Sequence, residues 1–451
     1  MRSTLFVCLV AVVACAIVMI SCGGSQPGTV NVSLSDPATC AAPNGPYRHV
    51  YVTVTDVRIH QSASASANDS GWKDLTPQLK DNPVQVDLLG VSNQCFLATL
   101  GSAGIAPGHY QQVRVILAAN NVSVNNNKCG NVANCVTLTS DLLNTPIALQ
   151  LSSESQTGIK IPSGQLAGGE FAIGSGETKD LNIDFNACAS LVIQGSGQYR
   201  LKPVLHAGEV STQTTATTIT GTIIDGSTLQ PVVGGNTIVA LEQNDGNGVD
   251  RVLMEGVATS NGSFSFCPVP AGTYDIVAVA INGAGITYSA TVITGVKAGD
   301  ALGNVPLTPA GLPASITGQI TSAGTSGAVA VDLSVSALQS AGNNLLVTVP
   351  LAQQSAATAS LTTANCGSVD CVNYTLSVPA ANPAVAAFTT INPTPAAPAG
   401  PPVNYIVDAQ AFAPGSSGTQ DCSSPDLQVP ALSVTVGASV PATTLNLTGC
   451  Q

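Results

Sequence analysis

From residue 30 onward the chain alternates apolar and polar positions. Val30, Val32 and Leu34 are interleaved with Asn31, Ser33 and Ser35, the period-two signature of a half-buried strand. In Val50–His60 the apolar residues sit at even positions up to Val54 and at odd positions from Val57. That change of face predicts a bulge. Val84/Val86/Leu88, Val113/Val115/Leu117, Phe171/Ile173, Leu181/Ile183/Phe185 and Tyr199–Leu205 extend the strand pattern. Gly, Pro and Asn clusters separate these runs, and no long helical period appears. A Thr-rich linker over 208–218 follows, and the pattern resumes with Ile219–Gly226, Ile238–Leu241, Ser263–Phe266 and Thr273–Ala278. Asn261-Gly262 between β-branched and aromatic residues predicts a tight hairpin. In Pro270-Ala271-Gly272-x-Tyr274, Pro fixes one dihedral, Gly is expected at positive φ, and Tyr pins the next strand to the core. Ile316-Thr317-Gly318-Gln319-Ile320 repeats Ile219-Thr220-Gly221-Thr222-Ile223 97 positions later (316 − 219). Pro398-Ala399-Gly400 followed by Tyr405–Ala409 echoes the Pro-Ala-Gly-x-Tyr element. Val434, Val436, Gly437, Leu445 and Leu447 parallel Val296, Gly299, Val305 and Leu307. The expected fold is all-β, with tandem β-sandwich domains at 29–207 and 219–308 and a divergent second copy of the latter at 313–451.

Composition narrows the function. Charged residues are 8% of the chain, hydrophobic ones 44% and aromatic ones 4%. Disorder goes with low hydrophobicity and high charge, the opposite of this balance. The net charge is −12 and no basic stripe is present. Phosphate binding needs clustered Lys and Arg, so nucleic acid is not expected as a partner. Peripheral binding to anionic headgroups is disfavoured for the same reason.

The first residues have a different character. Arg2 is followed by an unbroken run of apolar or small residues from Leu5 to Ile20. This is shorter than the ~20 residues that span a bilayer, and it reads as a secretory signal over 1–21. The run ends Met19-Ile20-Ser21-Cys22-Gly23-Gly24. This resembles the lipobox of bacterial lipoproteins, although Leu is usual where Met19 stands. The resemblance implies that Cys22 is acylated and becomes the new N-terminus. Buried acyl chains contribute about 0.8 kcal/mol per CH₂, so two or three of them hold a protein on a membrane. Residues 22–28 would be the lipidated tether, and Gly23 in place of Asp implies the outer membrane. The competing reading is an ordinary signal cut elsewhere, with Cys22 an incidental thiol.

Thirteen cysteines are present. Two lie in the leader and one is Cys22, which leaves an even number in an oxidising compartment, where disulfides are expected. Cys129/Cys135 and Cys366/Cys371 are spaced to staple local loops. Cys422/Cys450 ties down the last strand, and Cys40/Cys95 completes the candidate set. Cys188 and Cys267 fall in different expected domains and are left unassigned. Zinc is disfavoured because no C-x₂-C pair occurs, and neither a metal nor a cofactor is expected.

Two resemblances are specific. The series "VNVSLSDP" (30–37), "VYVTVTDVRIH" (50–60), "VQVDLL" (84–89), "APGHYQQVRVIL" (106–117), "GIKIPSG" (158–164), "LNIDFNACASLV" (181–192) and "YRLKPVL" (199–205) resembles the bacterial lipoprotein domain of unknown function 4382. That family often has a second Asp where Asn186 stands. The segment 219–308 resembles the carboxypeptidase regulatory-like domain, a prealbumin-like sandwich with a carbohydrate-binding-like fold.

Candidate chemistry is sparse. Asp56, Arg58 and His60 share one strand face. They form either a polar constellation for a ligand or the solvated face of a sheet, and the second reading is preferred. Trp72, the single Trp, reads as a packing residue. Glu242–Asp250 carries oxygen ligands and glycines but lacks the Asp spacing and terminal Glu of a calcium loop, so a polar hairpin tip is preferred and a bound Ca ion is left open. H-E-x-x-H, G-x-S-x-G and P-loop motifs do not occur, and His49, His60, His109 and His206 lack metal-ligand spacing. The reading is a non-enzymatic envelope lipoprotein that binds or spaces. A carbohydrate-binding lipoprotein is the alternative, and an unrecognised hydrolase ranks third. Expected partners are the membrane through the lipid anchor, and polysaccharide or another envelope protein. Replacing Cys22 with Ala should abolish incorporation of labelled fatty acid and move the protein from the membrane to the soluble fraction. Unchanged labelling would place the cleavage site elsewhere.

Overall fold

The structure is a computed structural model. It describes residues 25–450 other than 36–46, 64, 91–97, 152–153, 163–165, 167–169, 186, 188–189, 194–197, 202–204, 211–217, 246–247, 325–331, 352–356, 361–369, 414–421, 424–426 and 429–430. The expected leader, Cys22, Cys40, Cys95, Asn186, Cys188 and Cys366 lie outside the described residues, as do the side chains of Cys422 and Cys450. The described chain is strand-rich. Its one regular helix is a 3₁₀ turn at Pro77–Lys80.

In the first domain, strand β1 (Gly28–Ser35) pairs in parallel with β8 (Thr178–Phe185) and antiparallel with β3 (Ala98–Ile105), and β11 (Leu205–Glu209) closes this four-stranded sheet beyond β8. The second sheet runs through β7 (Ile159–Pro162), β4 (Gln112–Leu117), β2 (Tyr47–His60), β5 (Cys135–Leu138), β6 (Ile147–Gln150), β10 (Tyr199–Leu201) and β9 (Leu191–Ile193). Val30, Val32 and Leu34 meet Leu181, Ile183 and Phe185 in one core with Val50, Val52, Val54, Val57 and Ile59. The register of β2 against β4 shifts between Val54 and Asp56. That is where the apolar phase changes, and the extra residue lets both halves of a long strand face the same core. Cys129 and Cys135 are disulfide-bonded, closing the loop before β5.

The rest of the chain uses one topology twice. The first copy has β12 (Ile219–Asp225), β13 (Asn236–Asn244), β14 (Val249–Val257), β15 (Ser263–Phe266), β16 (Thr273–Ile281), β17 (Thr291–Lys297) and β18 (Ala301–Leu307). The second has β19 (Ala314–Gly324), β20 (Asp332–Gly342), β21 (Leu345–Val349), β22 (Asp370–Val378), the extra strand β23 (Ala384–Ala387), β24 (Val403–Ala413), β25 (Leu432–Val434), β26 (Ser439–Pro441) and β27 (Leu445–Cys450). In each copy the first strand pairs antiparallel with the fourth (β12·β15, β19·β22) and parallel with the closing segment (β12·β18; β19·β26 and β19·β27). The second strand lies between the third and the fifth, as β14-β13-β16 and β21-β20-β24.

Local chemistry explains the repeated sequence. Gly221 stands opposite Phe264 and Gly318 opposite Tyr374. A Cβ at Gly221 would lie 2.6 Å from the Phe264 ring, and one at Gly318 would collide with the Tyr374 ring. The aromatic ring lies over the bare glycine backbone. Tyr274 donates its hydroxyl to the Pro270 carbonyl at 2.7 Å, and Tyr405 donates to the Pro379 carbonyl at 2.8 Å. Such a hydrogen bond contributes about 1 kcal/mol net and avoids a larger burial penalty.

Two expectations are corrected. Gly272 is absent from the positive-φ positions. Its role is steric, since a Cβ there would sit 2.9 Å from the Tyr274 hydroxyl. The counterpart of Pro270 is Pro379, in Val378-Pro379-Ala380, and not Pro398. An insertion separates Pro379 from its tyrosine, and Asn382 closes it by donating to the carbonyls of Ala399, Gly400 and Pro402 at 3.0–3.2 Å. The strand sets on either side of 308–313 share a sheet and one of their two hydrophobic clusters. One 14-stranded sheet crosses that boundary, through parallel pairing of β14 with β21 and of β17 with β23. Ile238, Val277, Val279, Ile281 and Val292 of the first copy share a cluster with Ile316, Val335, Tyr405 and Val407 of the second.

Cys267, left unassigned from sequence, is disulfide-bonded, as is Cys371. Gly221→Val should cost about 1–3 kcal/mol by overpacking against Phe264, read as a lowered urea midpoint. Adding Phe264→Ala should cancel much of the clash, giving less than additive loss.

Candidate functional site

The bulge in β2 turns Asp56 and Arg58 toward the short strand Lys73–Asp74. Arg58 Nε donates to Asp56 at 2.6 Å and lies 3.1 Å from Asp74. Lys80 is 3.4 Å from Asp56 and also pairs with Asp74. Asp56 is 1% exposed. Burial pushes its carboxyl up, opposed by the Arg58 hydrogen bond and the charges of Arg58 and Lys80. A buried carboxylate needs such partners.

His60 belongs to a different group. Its Nδ1 accepts from the Ser62 amide at 2.9 Å, so Nε2 carries the proton toward the Ser70 carbonyl at 3.1 Å. Its ring lies 5.1 Å from Trp72, whose Nε1 donates to the Ser66 carbonyl at 2.8 Å. The Arg114 guanidinium lies 5.3 Å from the Trp72 ring and donates to Gln112 and the Thr157 carbonyl. Trp72 thus packs a loop onto β2 and β4. Asp56, Arg58 and His60 share a strand without forming one site.

In the β13–β14 hairpin, residues 246–247 lie outside the described residues. Asp245 accepts from Arg251 at 3.2 Å and from the Val249 amide at 3.3 Å, and Asn244 donates to Asp250 at 3.0 Å. The turn's polar groups bind each other. Among the described residues no three His, Cys, Asp or Glu side chains stand together to hold a metal.

The sequence pattern gives no sign of an enclosed polar ladder in the first domain. On the face of β1 and β8 away from the core, Asn31 donates to Asp180 at 2.7 Å, Ser33 to Asn182 at 3.2 Å and Ser35 to Asp184 at 3.3 Å. The Asn182 amide returns a bond to Ser35 at 2.8 Å. Alternation predicts a solvated face here, yet Ser35, Asn182 and Asp184 are buried. The first repeat covers them. Asn182, Asp184, Ala207 and Gly208 line a crevice of about 300 Å³, open mouth included, with Leu241, Leu253, Met254 and Pro270 on its other wall. Asp184 Oδ2 has no hydrogen-bond partner. Burial pushes the Asp184 carboxyl up to about 8, against a smaller lowering by Ser35. Burial favours the neutral acid, facing an aliphatic wall, a form suited to docking two layers.

Residues 27–203 match the family model described as domain of unknown function DUF4382. No curated protein matches the chain. Among solved structures it is similar to the TIE protein of Bacillus anthracis, at 10% identity over 94% of this chain and 51% of that one, with a TM-score of 0.17. A leucine-rich repeat protein from Bacteroides thetaiotaomicron is 13% identical over 53% of this chain and 27% of that one, with a TM-score of 0.22. The minor pilin GBS52 of Streptococcus agalactiae is 10% identical over 52% of this chain and 96% of that one, with a TM-score of 0.17. The chain spans about half the length of the first of these and about a quarter of the second.

The raised Asp184 acid predicts a pH dependence. A solvated Asp titrates near ~3.9. The stability that this group contributes is therefore full below about pH 4 and is lost progressively as pH rises toward about 8. Asp184→Asn should flatten that part of the profile, so the loss of urea stability between pH 5 and pH 8 becomes smaller than in the parent. An identical slope would show that Asp184 is ionised in the folded state.

Proposed function

We propose that the chain is a non-enzymatic lipoprotein of the cell envelope, tethered through Cys22 to the outer membrane, and that it acts as a structural or binding module held off the bilayer. The observation that carries this reading is the continuous sheet through both repeats. Joined in that way, the repeats form a stiff unit in place of two beads on a linker. The charged side chains support the same reading. Arg58 and Lys80 pair with Asp56 and Asp74, Arg251 with Asp245 and Asp408, and Lys179 with Glu177 and Glu209. These groups serve contacts within the fold.

The test uses residues 23–451, oxidised and without lipid, against a polysaccharide and glycan panel read for both binding and release of reducing ends. The expected result is a folded sample that does neither. Saturable binding lost on deleting 219–451 would replace this reading with a carbohydrate-binding lipoprotein. Catalytic release of sugar would overturn its non-enzymatic character.

A further inference from the structure

The two repeats are joined edge to edge by a short parallel contact. Val249 pairs with Leu346 and Asp250 with Val347. The Leu346 amide donates to the Gly248 carbonyl at 3.0 Å, and the Thr348 hydroxyl to the Asp250 carbonyl at 2.7 Å. Carboxyl groups crowd this join. Glu242 of β13 stands opposite Asp275 of β16, and Asp250 of β14 stands opposite Asn244 of β13. Carboxylates crowded together out of water repel one another, which favours keeping a proton on at least one of them. Glu242 is fully buried. Its Oε2 accepts from the Thr348 amide of β21 at 3.0 Å, and its Oε1 has no hydrogen-bond partner.

The other charged groups around the join are accounted for. Glu255 lies further along β14, and Arg251 on β14 is engaged by Asp245 of the hairpin and Asp408 of β24. Strand β21 brings Leu345–Val349 and no charge.

We propose that this join is a proton-dependent clasp: the buried carboxyls of Glu242 and Asp250 hold β14 against β21 while they carry protons, and the edge loosens as the medium passes from acidic to alkaline. Burial supports it. Burial pushes the Asp250 carboxyl up to about 7 and that of Glu255 to about 8, and holds Glu242 well above the usual carboxylate range. Once the edge opens and the groups meet water, they return to about 4. Opening then releases protons, so its equilibrium constant rises about tenfold per pH unit per proton between about pH 4 and 7 and levels off above. The clasp is independent of what the array binds.

Hydrogen exchange of residues 23–451 tests this, with protection factors corrected for intrinsic exchange. Peptides over 249–257 and 345–349 are compared with 47–60 at pH 5 and pH 8. Protection in the two joined strands should fall at least tenfold relative to the reference. The fall should persist in Asp184→Asn and disappear in Asp250→Asn with Glu242→Gln. Constant relative protection in the parent chain would overturn the proposal, even if the double variant fails to fold. So would the same fall in a folded double variant.

Discussion

Strands β13 and β16 are buried on both faces, and the architecture beyond the first domain depends on it. Ile276, Ala278 and Ala280 point into the core of the first repeat, with Phe264, Phe266 and Leu302 among its members. Val277, Val279 and Ile281 point the other way, into the core of the second repeat. A strand covered on both sides must be continuously apolar, and Ile276–Ile281 contains no polar residue. Each such side chain contributes about 1.5–3 kcal/mol when fully buried, so the second repeat is a structural requirement of the first. The low charge content of the chain follows from the same demand.

Such enclosure leaves little room for unpaired charge. The polar groups that remain inside take one of two forms. Asp56 and Asp408 sit beside cations: Arg58 of the same strand and Lys80 of the 3₁₀ turn at Asp56, and Arg251 of β14 at Asp408. Asp184 and Glu242 sit where burial favours the neutral acid. The first form holds neighbouring elements together through ion pairs. The second places protons at the two joints of the molecule, one between the first domain and the first repeat and one between the repeats.

Much of the fold was legible in the sequence because it is written in local periodicity. The bulge at Asp56 showed as a change of phase, and the twinned Ile-Thr-Gly as a repeat. The Tyr405 anchor was assigned to Pro398-Ala399-Gly400 because that tripeptide reproduces the composition of the first copy. The true partner, Pro379, is separated from its tyrosine by an insertion and is identified by a hydrogen bond alone. The edge pairing of β14 with β21 leaves no local trace, since a strand edge uses backbone groups common to every residue. The polar ladder that runs from Asn31 and Ser33 to the buried Ser35 reads as a solvated face for the same reason: alternation reports which side faces the strand's own core and is silent about what covers the other side. Asp250, Asp275 and Glu242 lie on three different strands, so their meeting depends on register.

The insertion carrying β23 has a consequence for assembly. β23 lies against β17 and contributes Ala386, with Phe388 beyond it, to the core of the first repeat. It is synthesised only after β19 to β22 of the second repeat. A chain emerging from its N-terminus therefore presents β17 as an unpaired edge, and the outer faces of β13 and β16 as bare hydrocarbon, until much of the second repeat is available. Non-local pairing of this kind slows folding and exposes intermediates to aggregation. The tandem copies consequently mature as one cooperative unit, with the earlier copy waiting on the later one.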